Sequence, residues 1–290
     1  MANNIALFKQ YVTLLDEVMK QSSLTSDLDG ASELVREGAN ANELIIPKMN
    51  MDGLGAYDRN SGYTNGDVTL TNETVACNFD RGRSFTVDAM DDAETAGIAF
   101  GKLAGEFIRT RVVPELDAFR FATYASAEDI GSVEGALDTG AAVVKALRAA
   151  TAAMDDAEVP PENRILYITT TLNGLVEDMD TTASRKVMER FADVKIVPQT
   201  RFYTKITQYD GKTEGQETGG YVKAEDGKNI NFMVIQKDAV IQFQKHIAPK
   251  VISPEMNQNA DAWKFGYRSV GIADTYENKV AGIYVHNDTK

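Results

Sequence analysis

Apolar side chains recur at steps of four and three through Ile5, Phe8, Val12, Leu15 and Met19, the spacing of one face of an α-helix, so the pattern predicts an amphipathic helix over 5–20. Residues 22–43 lose that period and are rich in Ser, Asp, Gly, Ala and Asn, which suits an extended arm. A short strand is predicted at 43–47. The stretch MNMDGLGAYDRNSGYTNGDVTL that follows is dense in Gly, Asn and Asp and reads as a long excursion with little apolar content of its own. Alternation from Asp67 to Phe79, resumed from Arg83 to Val87, predicts strands.

The period changes again at VDAMDDAETAG. Asp91 or Asp92 can cap a helix and Glu94 suits its positive N-terminal end. Ala96, Phe100, Leu103 and Phe107 continue the stripe, and Leu116 and Phe119 extend it after a slip. A helix over 92–125 would be about 50 Å long at ~1.5 Å per residue. Pro114 lies inside it. A proline there removes a donor and clashes with the carbonyl of Thr110, at a cost of ~3 kcal/mol, so a kink or break is predicted at 112–114.

A loop at 126–138 precedes a second helix marked by Val143, Leu147, Ala150 and Met154 and stopped by Val159, Pro160 and Pro161. Residues 164–169 are an apolar run too short for a helix and read as a buried strand. Short helices are predicted near 172–178 and 183–191, then a strand at 194–197. The polar, Gly-rich stretch 208–230 reads as a mobile hairpin or loop. Strands are predicted at 231–236, 239–246, 265–275 and 279–286, with a tight turn at Glu277 and Asn278.

Composition sharpens this picture in three places. The formal charge of −13 over 290 residues opposes a nucleic-acid groove, which requires clustered Lys and Arg to displace counterions. No apolar run approaches the ~20 residues of a membrane span, and the N-terminal stretch lacks the core of a signal peptide. The single cysteine, Cys77, excludes an internal disulfide framework and reads as a small, half-buried hydrophobe. A soluble protein made in a cytoplasm is the simplest expectation.

Catalytic and ligand-binding patterns are scarce. Gly211-Lys212-Thr213 lacks the earlier glycine of a phosphate loop, because Ile206 stands there, so the segment reads as a polar turn. No nucleophile elbow, zinc-protease motif or dinucleotide fingerprint occurs. His246 and His286 are the two histidines, and a zinc site built on them would need carboxylates to complete it. Asp91 with Asp92 and Asp155 with Asp156 sit at helix ends, where dipole effects account for them. Trp263, Phe265 and Tyr267 read as core or subunit-contact packing rather than a ligand-stacking surface. The expectation is no catalysis, no metal and no cofactor.

The charged residues Arg109, Arg111, Glu115, Asp117 and Arg120 stand on the long helix among Phe119, Phe121 and Tyr124. They suit either a charged active-site face or scaffolding that meets neighbours on several sides. The stretches GLGAYDRNSGY at 53–63, DRGRSFTVDAMDDAET at 80–95, RTRVVPELDAFRFATYA at 109–125, VPPENRILYITT at 159–170 and NKVAGIYV at 278–285 favour the second. Together with the order of elements, they make the chain resemble the major capsid proteins of tailed phages, in a branch common among phages of Gram-positive bacteria. Encapsulins, protein-cage subunits of the same fold, are the nearest competitor, and a soluble α/β enzyme or binding protein is the remaining alternative.

The resemblance implies an α+β subunit of the Hong-Kong-97 fold. Its parts would be an N-terminal arm over 1–49, an extended loop over 50–88 and a peripheral-domain spine helix over 89–134. An axial domain over 135–230 and a peripheral β layer over 231–290 would complete it. It implies hexamers and pentamers in an icosahedral shell around double-stranded DNA, held without sequence-specific contacts. A portal and, where used, separate scaffolding and decoration proteins would be partners. The subunit would assemble in the host cytoplasm and end in the virion. Tyr57, Arg59, Tyr63, Arg81, Arg83, Arg109, Arg111, Glu115, Asp117 and Arg120 are the candidate inter-subunit contacts. No removable scaffolding segment is expected before the first strand. The founding member of the fold cross-links a lysine on this loop to an asparagine of another subunit; here Met49 to Gly101 contains no lysine, so a non-covalent shell is expected.

Overall fold

The computed structural model describes residues 23–30, 36–37, 43–60, 62–89 and 105–289. The helix predicted at 5–20 and the first part of the one predicted at 92–125 lie outside them.

The centre of the molecule is a five-stranded sheet. Its strands are β5 (Gly131–Glu134), β6 (Arg164–Thr169), β7 (Asp193–Val197), β10 (Ile230–Gln236) and β13 (Ile283–Asn287), in the order β5-β13-β10-β6-β7. β6 is buried along its whole length, as befits an inner strand covered on both faces. Alternation divides the side chains cleanly. Ile165, Tyr167, Met233, Ile235, Ile283 and Val285 face the cluster containing Phe121, Tyr124 and Phe202. Leu166, Ile168, Phe232, Val234 and Tyr284 face the other way.

That second face is covered by helices α2 (Gly140–Asp156), α3 (Thr170–Met179) and α4 (Thr182–Met188), through Val143, Leu147, Met154, Leu172, Val176 and Val187. Thr139 caps α2 by accepting the amide of Ala142, and Thr181 and Ser184 form a reciprocal capping box on α4. The first face is covered by α1 (Val113–Ala125).

The predicted break at Pro114 is absent. The chain stays helical, but Ile108–Val112 form a π-helical turn and Val113 donates to the Ile108 carbonyl. Widening that turn puts Pro114 in the first turn of α1, where the missing N–H costs nothing to the α ladder. Thr110 Oγ1 donates to the Glu106 carbonyl at 2.5 Å.

A second sheet is built from long strands in the order β11-β12-β4: β4 (Phe79–Asp88), β11 (Val240–Ile252) and β12 (Ala262–Thr275). It packs on the π turn through Phe265, Tyr267, Ile108 and Phe107. Phe265 and Tyr267 are therefore core residues, with their rings 6.5 and 6.1 Å from that of Phe107. A third sheet has the order β1-β2-β3: β1 (Arg36–Glu37), β2 (Glu43–Met51) and β3 (Val68–Ala76). β2 and β3 pair antiparallel from Glu43↔Ala76 to Met51↔Val68 without a bulge.

Three expectations change. The loop predicted at 126–138 contains β5, which pairs in parallel with β13 far along the chain. The extended element is not 50–88 but the hairpin of β2 and β3, since β4 is already an edge of the second sheet and pairs with β12 over ten residues. The expected β layer at 231–290 is split, because β10 and β13 belong to the central sheet while β11 and β12 belong to the second. The polar 208–230 stretch, predicted as a hairpin or loop, belongs to a small hairpin of β8 (Ile206–Gln208) and β9 (Tyr221–Lys223). Cys77 falls between β3 and β4 and packs half-buried beside Val75, Ile241 and Ile272.

Candidate assembly surfaces

The charged residues of the long helix separate according to the face they occupy. Arg109 and Arg111 are exposed at the π turn, and Arg109 pairs with Glu106 one turn back at 2.7 Å. Asp117 and Arg120 point the other way. Asp117 is fully buried and Arg120 is 3% exposed, so these two candidate contacts find their partners within the subunit.

Those partners come from residues 23–30. Asp117 Oδ1 accepts from Ser23 Oγ at 2.9 Å and Thr25 Oγ1 at 2.8 Å, and its Oδ2 accepts from the Leu24 amide at 3.2 Å. Arg201 approaches that oxygen at 3.4 Å. Arg120 donates to Thr25 Oγ1 at 2.8 Å and faces Asp29 at 3.4 Å. Gln242 donates to the Thr25 carbonyl and to Asp29, and Tyr124 donates to Gln242 at 2.8 Å. Burial raises the Tyr124 hydroxyl well above the usual phenol range. Leu28 is buried in the first core beside Phe121 and Tyr124. The segment read from sequence as arm or linker is thus partly a core element. Leu24 and Leu28, one helical turn apart, were the signal that could have found it.

Arg81 joins three elements. From β4 its Nε pairs with Glu115 of α1 at 2.7 Å, and its Nη2 donates to the carbonyls of Tyr209, at 2.7 Å, and Gly220, at 3.4 Å. Burial pushes the Glu115 carboxyl up; the Arg81 charge and hydrogen bonds from Arg81 and Gln208 offset only part of that. Arg83, two residues on, donates to the Glu217 carbonyl at 2.9 Å. Gly219 and Gly211 both have positive φ, and a Cβ on either would sit 2.9 or 3.1 Å from the Arg83 guanidinium. The glycines in this stretch therefore let a loop close around an arginine, and the expected mobile loop is pinned at both ends. The Gly211-Lys212-Thr213 turn is organised by Asp210, which accepts from the amides of Lys212 and Thr213 and from the Thr213 hydroxyl.

The hairpin presents the other candidates. Tyr57 and Tyr63 meet at its tip with ring centroids 4.9 Å apart and planes tilted by 58°, across a tight turn in which Asp58 and Gly62 exchange backbone hydrogen bonds. Gly62 has φ +79°. Tyr63 is 88% exposed, and Arg59 is exposed beside it.

Sequence reasoning missed a further set on this hairpin. The register places Met49 opposite Leu70 and Met51 opposite Val68, so all four share one face of the ribbon. Each is more than half exposed, as is Leu54. The opposite face carries Asn50, Thr69 and Thr71. Scattered exposed apolar residues are ordinary, but a contiguous one-sided patch marks an interaction surface. The alternation in MNM and VTL was the available signal.

Among the described residues, no cluster of three or more His, Cys, Asp or Glu could hold a metal ion, and no helix is long and apolar enough to cross a membrane.

No known family model and no curated protein matches the chain. Solved structures do. A virus-like particle from Pyrococcus furiosus is similar with a TM-score of 0.63 at 11% identity, over 97% of this chain and 99% of that one. Gordonia phage Cozz gives a TM-score of 0.61 at 10% identity, over 93% and 87%. The capsid of Staphylococcus phage Andhra gives 0.55 at 9% identity, over 89% and 84%. The shared feature is the fold, over most of each chain.

Proposed function

We propose that this chain, which has the Hong-Kong-97 fold, is the major capsid protein of a tailed bacteriophage. It assembles through hexamers and pentamers into an icosahedral head around double-stranded DNA. The observation that carries the reading is a fold shared over most of the chain with shell subunits, coupled to a hairpin whose apolar face is left exposed by the described residues. The fold alone is common to phage heads and to a virus-like particle. The five sequence stretches from 53–63 to 278–285 favour the phage.

In this reading the subunit's chemistry is mechanical. The two cores and the Asp117–Thr25–Arg120 network hold one rigid body, and the hairpin and the exposed Arg109 and Arg111 meet neighbouring copies. Its acidity repels packaged DNA, so the wall does not trap the polymer. A portal fills one vertex, and scaffolding or decoration proteins are separate chains where they occur.

Negative-stain microscopy and sedimentation of the purified chain test this. Shells or capsomers are the expected result, and a monomer at all concentrations would overturn it. Portal and terminase genes beside this one are expected for a phage; their absence would favour a cage.

A further inference from the structure

The chain holds two Asn–Gly pairs, Asn65–Gly66 and Asn173–Gly174, and the fold treats them in opposite ways. In such a pair the asparagine side-chain carbon can meet the next backbone nitrogen, because glycine has no Cβ to restrict the approach. Asn173 lies within α3, is 6% exposed and donates its Nδ2 to Glu177 at 2.8 Å. The helix ladder directs the Gly174 amide at the carbonyl of Thr170. Both reacting groups are engaged there.

Asn65 and Gly66 stand just before β3 begins at Val68. Both are exposed, and among the described residues no hydrogen bond holds the Asn65 side chain or the Gly66 N–H. Beside them the ribbon closes. The Asp52 amide donates to the Asp67 carbonyl at 3.2 Å, and the Asp67 amide donates to Asp52 Oδ2 at 2.9 Å. Asp52 also borders the glycine, since a Cβ on Gly66 would sit 3.5 Å from the Asp52 Cβ.

We infer that Asn65 is a site of spontaneous modification, at which the chain deamidates itself. The Gly66 nitrogen loses its proton to solvent and attacks Asn65 Cγ. A Cγ–N bond forms, the Cγ–Nδ2 bond breaks, and Nδ2 leaves as ammonia with a proton from water. Water then opens the cyclic imide. Addition at Cγ gives aspartate on an unchanged backbone; addition at the backbone carbonyl gives isoaspartate, whose chain runs through Cγ and is longer by one methylene. Nothing is oxidised or reduced. Either product sets a new carboxylate near Asp52 and Asp67, where like charges repel, and the added methylene displaces Asp67 from its place opposite Asp52. The reaction therefore loosens the closure that aims the hairpin tip.

The test incubates fresh full-length chain in warm, mildly alkaline buffer, beside a guanidinium-unfolded sample. Peptide mapping by mass spectrometry follows the exchange of amide NH2 for OH at both pairs. Asn65 should convert in the folded chain about as fast as in the unfolded one, whereas Asn173 should convert only after unfolding. An Asn65 that survives in the folded chain while it converts in the unfolded one would overturn the site. Gly66→Ala meets only ordinary contact at Asp52 and needs no left-handed backbone, so melting should stay at the parent value. It should slow conversion of Asn65 by about tenfold, because a Cβ restricts the approach of the nitrogen; an undiminished rate would rule out the route through Gly66. The effect on the hairpin rests on the shell-subunit reading and is read by letting a half-converted sample assemble. Converted chains should be enriched in the unassembled fraction, and equal proportions in shells and leftover subunits would refute the loosened closure. If fresh chain forms no shells, that reading falls, while the mapping still decides the modification.

Discussion

Asp117 shows how a single side chain can join a peripheral segment to a core. Fully buried, its carboxylate is tolerable because hydroxyl, amide and guanidinium donors surround it. Asp117→Ala leaves Ser23, Thr25 and Arg201 without that partner, and removing one member of a buried charged network costs about 3 kcal/mol or more. Urea unfolding of the unassembled subunit should show this loss, and limited proteolysis should cut within 23–30 sooner than in the parent. His286 provides a pH-dependent check. It is stacked on Phe232 with centroids 5.1 Å apart, and burial holds its pKa below the usual 6.5. The unfolded chain therefore binds a proton at a pH where the folded one does not. This group's contribution is complete above pH 6.5 and is lost as pH falls from there through the folded pKa. Stability measured across that window should slope downward toward acid, and His286→Gln should remove that part of the slope.

At the scale of elements, the hairpin and the π turn each reconcile a local fault with the fold. Deleting 54–65 brings Gly53 next to Gly66, and the Asp52–Asp67 backbone hydrogen bond already closes the ribbon at that level. Two glycines suit the two-residue turn this creates. The deletion should leave a folded subunit with circular dichroism and melting close to the parent, yet impair assembly; normal shells from it would remove the hairpin from the assembly surface. Pro114 is placed by the π turn where proline is tolerated, so Pro114→Ala should change stability by less than about 1 kcal/mol. A gain near the ~3 kcal/mol of an interior proline would mean the turn had not absorbed the fault.

At the scale of the whole molecule, a shell built from this chain is expected to hold together without covalent help. Isopeptide formation needs a lysine that can lose its proton in a desolvated site. The span from Met49 to Gly101 has arginines and no lysine, and guanidinium stays protonated. Particles boiled in detergent should run as one band near 31.7 kDa, whereas a ladder resistant to reductant would reveal a cross-link from elsewhere in the chain.

The sequence by itself determined the elements whose period is local. The buried strand at 164–169, the helix through Val143 and Met154, and the strands near 231–236 and 265–275 all follow from spacing and from prolines, because each pattern is completed within a few residues. It also excluded a phosphate loop at Lys212 by one missing glycine. Which sheet each strand joins was a matter for the tertiary structure alone. β5 pairs with β13 some 150 residues later, and β4 with β12 farther away still, and such partners leave no mark in local periodicity. The same holds for the charges of the long helix. Arg109 and Asp117 are alike in sequence as polar residues among aromatics, but one faces water and the other faces residues 23–25. Their fates diverge because burial depends on what folds against each face, and that partner comes from a segment more than 90 residues earlier.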